Sequence, residues 1–414
     1  MNFSVPTIDR MAGIELYTTH FGGIGGSIKV KNEDFKVVEL LSDSILKDVS
    51  KLPDKLYRFP LLLLSKNGLD SNHAIMEIFN ELGTRIRVLG IKDAKAVTTQ
   101  YATCENNKYK VGRTRHTTLS LAGYTKSSIK KSHIMGNQFE IRITNPSRID
   151  ISDFIMEIEN IPNYYGLQRF GSERLVTHLV GREIIRRNFQ KAVDIFLCYT
   201  TEYDTQFSKE IREKCRDPKN YRSILKIIPK GMDLERNLLR SLANGKDSIG
   251  ALRSIPINIR RLFVHAYQAF IFNRCLSDII RNGESITKCT RNDFCFRVEN
   301  GLTLGKLMRF SDKDSTGLVP AMHLPGYSFK STGGRVESKL LALLKEENLA
   351  PKDFYLKEMQ ELSVEGGFRQ LPLMVKDFSY SGNIMVNFKI PVGSYATILL
   401  RELMKPTSPT NSGF

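Results

Sequence analysis

The chain has 414 residues, 41% of them hydrophobic, and its 61 Lys and Arg against 44 Asp and Glu leave a formal charge of +17 at pH 7. That apolar content argues against a disordered chain, and the length argues for two or three domains of about 150 residues. No stretch approaches the roughly 20 apolar residues of a membrane span, and we expect no secretory signal; the cationic excess suits a polyanion, above all nucleic acid, over small neutral metabolites.

In chain order, FGGIGGSIK (21–29) is Gly-rich but fits neither phosphate-loop nor dinucleotide spacing, and reads as a turn leading into a strand. Residues 28–41 read as extended, interrupted at 32–34, with strand-like alternation at Phe35-Lys36-Val37-Val38-Glu39. Residues 58–64 are an apolar run with the length of a buried strand. Asp70 or Ser71 caps a helix in which Ala74, Ile75, Ile78, Phe79 and Leu82 recur at helical spacing, and Gly83 closes it. Residues 85–91 return as a strand, and β-type patterning continues at 117–124 and 138–144. The middle is helical at 177–197, 208–214, 234–242 and 259–280, and carries Arg182, Arg186 and Arg187. β-type patterning resumes after Gly366, at 384–390. A helical middle between β-rich ends suggests one domain inserted into another, and the final TSPTNSGF is expected to be a disordered tail.

Six scattered cysteines, with no Cys-x-x-Cys, argue against a disulfide scaffold or a zinc site and for a reduced, cytoplasmic compartment. The segment with chemical character is LGIKDAKAVTTQ (89–100). Asp93 follows a strand end, where functional groups concentrate, and the flanking Lys92 and Lys95 favour its charged form. That suits a nucleophile or base. The residues alone leave open a surface turn held by ion pairs.

LGIKDAKAVTTQ resembles the signature of the tRNA pseudouridine synthase D (TruD) family, close to G-x-K-D-x-x-A-x-T-x-Q. Five further blocks follow the family in order: GGSIKVKNEDFKVVEL (25–40), GNQFEIRI (136–143), NYYGLQRFG (163–171), HAYQAFIFN (265–273) and IPVGSYATILLRELMK (390–405). Leu89, Tyr165 and Ala269 depart from the usual residues without removing a reactive group.

The resemblance implies an α/β (α+β) fold. Its mixed-sheet catalytic domain would be discontinuous, from residues 1–162 and 362–414, around an inserted α/β domain at 163–361. It implies an isomerase that converts a uridine of tRNA, expected to be uridine 13, to pseudouridine, without metal or other cofactor. Asp93 is implied as the essential group, Phe139 as the ring on which uracil stacks, and Asn137 as the group that orients its edge. Lys29 and Glu39 match two charged positions and are expected to pair with each other around Asp93. Arg169 is expected to meet a phosphate or a carboxylate, and the NYYGLQRFG aromatics to pack the junction between domains. The expected partner is tRNA, bound by a monomer. A non-catalytic RNA binder would have no need of Asp93 in this context, and a methyltransferase would need a Gly-rich donor loop that the chain lacks.

Overall fold

The computed structural model describes the chain except for residues 1–2, 105–107, 172–173, 312–313, 332 and 383. In chain order its strands are β1 (Phe35–Leu41), β2 (Phe59–Asn67), β3 (Ile86–Val88), β4 (Val97–Cys104), β5 (Gly112–Arg113), β6 (Thr117–Thr125), β7 (Ile134–Arg142), β8 (Phe294–Glu299), β9 (Thr303–Arg309), β10 (Leu318–Leu324), β11 (Gly367–Gln370), β12 (Lys376–Ser381) and β13 (Met385–Pro391). A large mixed sheet runs β12-β13-β7-β1-β4-β2-β6-β5, with β3 paired to β4. A small antiparallel sheet runs β11-β10-β8-β9. Its strand β11 lies beyond residue 361, where the sequence reading ended the insertion.

The period-two pattern predicted in β1 is real, because Phe35, Val37, Glu39 and Leu41 face inward. β1 sits at the centre of the sheet, parallel to β4 and antiparallel to β7. The helix Ser71–Leu82 packs Ala74 and Ile78 on Leu62, Leu64, Ala102 and Leu119 of β2, β4 and β6. Asp70 is its cap, accepting from the N–H groups of Asn72 and His73, and Gly83 closes it at φ 69°. Asp70→Ala should lower stability by about 1 kcal/mol. Urea denaturation checks this, and an unchanged midpoint would show that the cap is idle.

The helical stretch predicted at 177–197 is two helices, Thr177–Ile185 and Phe189–Cys198. Arg187 breaks it at φ 60°, and its guanidinium donates to the carbonyls of Ile185, Asp353 and Tyr355. The 25-residue helix Ile257–Arg281 runs through the largest core cluster.

The two chain ends meet. Arg401, on the helix Ala396–Met404, donates to Asp9 at 2.6 Å with both groups buried. Neighbouring Glu402 accepts from the N–H groups of Thr18 and Thr19. The final residues are not the disordered tail expected from composition. The Ile28 N–H donates to the Ser412 carbonyl at 2.9 Å, and Phe414 packs against the core. Backbone pairing and one terminal ring outweigh the small polar residues before it.

Candidate active site

The loop between β3 and β4 carries Asp93, and four bonds from buried side chains hold its backbone. Gln100 Nε2 donates to the Gly90 carbonyl at 3.0 Å, and the Lys92 N–H donates to Ser71 Oγ at 2.9 Å. Lys66 Nζ donates to the carbonyls of Asp93 at 2.7 Å and Lys92 at 3.4 Å. Its third N–H goes to the Leu69 carbonyl at 2.7 Å. Lys66 is 2% exposed, and Ser71 and Gln100 are fully buried. Burial pushes the Lys66 ammonium down to about 8, against the pull of Asp93.

With the backbone fixed, the Asp93 side chain remains about half exposed, and Lys29 Nζ lies 3.3 Å from its Oδ2. Lys29 also stands 4.6 Å from the centre of the Phe35 ring. Lys92 turns the other way, donating to Glu39 Oε1 at 2.9 Å and to Asn137 Oδ1 at 2.8 Å. Glu39 Oε2 accepts the Tyr101 N–H at 3.0 Å. The expected Lys29–Glu39 pair is therefore replaced by two pairs, Lys29–Asp93 and Lys92–Glu39. The register explains it: Glu39 stands opposite Asn137 across β1 and β7, and Lys92 bridges them.

Asp93, Lys92, Asn137 and Phe139 line a cleft of about 200 Å³, together with Gln168 and Tyr395. Asn137 and Phe139 share one face of β7, as their spacing predicts. Gly136 before them must lack a side chain, because a Cβ there would lie 2.2 Å from the Ile390 carbonyl of β13. Phe139 is only 7% exposed, stacked on Phe388 at 5.3 Å and edge-on to Phe35 at 5.9 Å. It belongs to the core as well as to the cleft wall. Asn137 spends its oxygen on Lys92, so its amide N–H groups remain for a carbonyl acceptor.

Arg169 does not line this cleft, although its neighbour Gln168 does. Gln168 Oε1 accepts from Thr397 Oγ1 at 3.2 Å, which ties NYYGLQRFG to the helix Ala396–Met404. Tyr165 and Tyr395 meet edge-on at 6.0 Å. Arg369, at the end of the small sheet, lies 3.9 Å from the Tyr165 ring centre and donates to Asn163 and to the Gly393 carbonyl. Burial pushes the Tyr395 phenol up, while Arg169 and Arg369 pull it down.

Sequence reasoning missed the roles of Tyr395, Gln168, Lys92 and Lys66. The first three lie inside quoted motif blocks, so a signal was present. Lys66 follows an apolar run and carried none. Among the described residues no group of three or more His, Cys, Asp or Glu is placed to hold a metal ion. Among them, too, no helix is long and apolar enough to cross a membrane.

The chain is similar over nearly its whole length to several known proteins. The family model described as tRNA pseudouridine synthase D (TruD) matches residues 11–403. A Pyrobaculum islandicum protein named "Probable tRNA pseudouridine synthase D" is 32% identical over 422 residues, 99% of both chains. A Methanosarcina acetivorans protein of the same name is 31% identical over 443 residues, 97% of both. The crystal structure of a Methanosarcina mazei protein named "Putative tRNA pseudouridine synthase D (TruD)" superposes with a TM-score of 0.78 at 26% identity, covering 98% of this chain and 99% of that one. The mixed-sheet fold and the family agree, and the chain belongs to the tRNA pseudouridine synthase D (TruD) family of isomerases.

Proposed function

We propose that the chain converts a uridine of tRNA to pseudouridine, with uridine 13 as its target and Asp93 as nucleophile or base. One observation carries the reading: the Asp93 carboxylate, held by Lys29, stands at a small cleft whose walls include aromatic and amide side chains. The target uridine must leave its stack to reach such a cleft. The N1–C1′ bond then breaks, the uracil turns, and a C5–C1′ bond forms; C5 loses a proton and N1 gains one. Asp93 either bonds covalently to sugar or base or removes a sugar proton to give a glycal.

Lys29 holds the carboxylate in place, the Asn137 amide donates to a uracil carbonyl, and Phe139 with Tyr395 supplies apolar wall against the ring. The RNA strand lies between the unit built from residues 1–162 and 362–414 and the insertion at 163–361. In this reading the chain acts on its tRNA as a monomer.

No step calls for a metal. Conversion of an unmodified tRNA transcript should proceed at an unchanged rate in EDTA. Loss that added metal restores would contradict the metal-free route, and no conversion in either condition would contradict the function.

A further inference from the structure

Beside the Asp93 cleft lies a second, larger cavity of about 460 Å³, lined by Tyr165, Arg169, Arg261, His265 and Glu365 among others. We propose that Arg169, Arg261 and His265 form a subsite for a phosphodiester of the RNA strand next to the extruded uridine. The proposal rests on the tRNA reading above and adds the site that grips the strand.

Four observations carry it. Arg169 Nε is buried without a hydrogen-bond partner among the described residues. Leaving a charged donor in that state is costly, and native structures rarely do so without a ligand or water. Second, Arg261 comes to the same cavity from the long helix Ile257–Arg281, and its Nε is the nitrogen used within the fold, donating to the Glu361 carbonyl at 3.0 Å. Two guanidinium groups from separate segments thus face one space, and planar guanidinium forks match phosphate oxygens. Third, His265 stands one helical turn beyond Arg261 on that helix. Burial and the two arginines push its imidazole down, so at neutral pH it is an uncharged ring with one N–H to donate. Glu365 is the acidic side chain among the lining residues, and its Oε1 already accepts the Tyr327 hydroxyl at 3.1 Å.

The fourth observation is position. Gln168 lines the Asp93 cleft and Arg169 the second cavity, while Tyr165 of the second cavity meets Tyr395 of the first. The two spaces are neighbours across one pair of rings. A strand that places a nucleoside in the first passes its backbone by the second.

The test is the salt dependence of binding for an unmodified tRNA transcript, from about 50 to 200 mM salt. It is measured in the Asp93→Asn protein so that no turnover intervenes. Arg169→Met and Arg261→Met should each reduce the slope of log K against log salt by about one and weaken binding roughly tenfold at low salt. Arg169→Lys, which keeps the charge, should return the slope to that of the parent. Arg261 is exposed, so its variant stands even if Arg169→Met folds poorly. A slope unchanged in Arg261→Met, or one that Arg169→Lys does not bring back, overturns the subsite. The slope does not depend on isomerisation, so this proposal fails separately from the role of Asp93.

Discussion

Asp93→Asn and Asp93→Ala should abolish uridine isomerisation while an unmodified tRNA transcript still binds within about tenfold of the wild-type affinity. The Asn variant keeps the size and shape of the side chain but cannot attack carbon or accept a proton as a carboxylate does. Its fold should be intact, because the Asp93 side chain is about half exposed and the loop is held through backbone carbonyls that the substitution leaves in place. Affinity should survive because phosphate contacts along the strand dominate RNA binding. Measurable turnover by either variant, set beside filter-binding data on the same protein, would remove Asp93 from the mechanism.

Lys66→Met should lower kcat about 100-fold with little change in KM. Lys66 does not itself line the cleft; it acts through the carbonyls of Lys92 and Asp93, and misplacing a reacting group by about 1 Å costs on that scale. The pH dependence separates this from a general loss of stability. Lys66 titrates near 8 in the fold and near 10.5 when unfolded. Between those values the unfolded chain binds the extra proton, so this group adds stability as pH rises through the window. Activity should move the other way. A neutral amine has two N–H groups for three carbonyls, so the loop loosens and wild-type kcat should fall above about pH 8, although the titration of Lys66 itself does not destabilise the fold there. The Lys66→Met enzyme, already without the ammonium, should lack that limb. A kcat within about twofold of wild type would contradict the role.

How far the sequence could be read follows from where each interaction is written. The helix Ser71–Leu82 is legible to within a residue because cap, apolar spacing and closing glycine are all local signals. The break at Arg187 was not, since carbonyls from Asp353 and Tyr355, some 170 residues away, set it. Asp93, Asn137 and Phe139 were legible through motif blocks, and the structure does bring them to one cleft. What the blocks could not tell was who pairs with whom. Lys29 and Glu39 lie ten residues apart, yet their partners come from the β3–β4 loop. Lys66 was illegible for a related reason. Its burial depends on β2 lying between β4 and β6, which is a property of sheet order and not of the residues around it. The NYYGLQRFG block marks Arg169 as a group for a phosphate or carboxylate, but sequence alone does not place it in a cavity beside the cleft.

The most direct test of the central claim is pseudouridine mapping of bulk tRNA before and after incubation with the pure protein. The wild-type chain should add pseudouridine at uridine 13, and the Asp93→Asn chain should add none. No new pseudouridine in any tRNA after incubation with the wild-type chain would contradict the account.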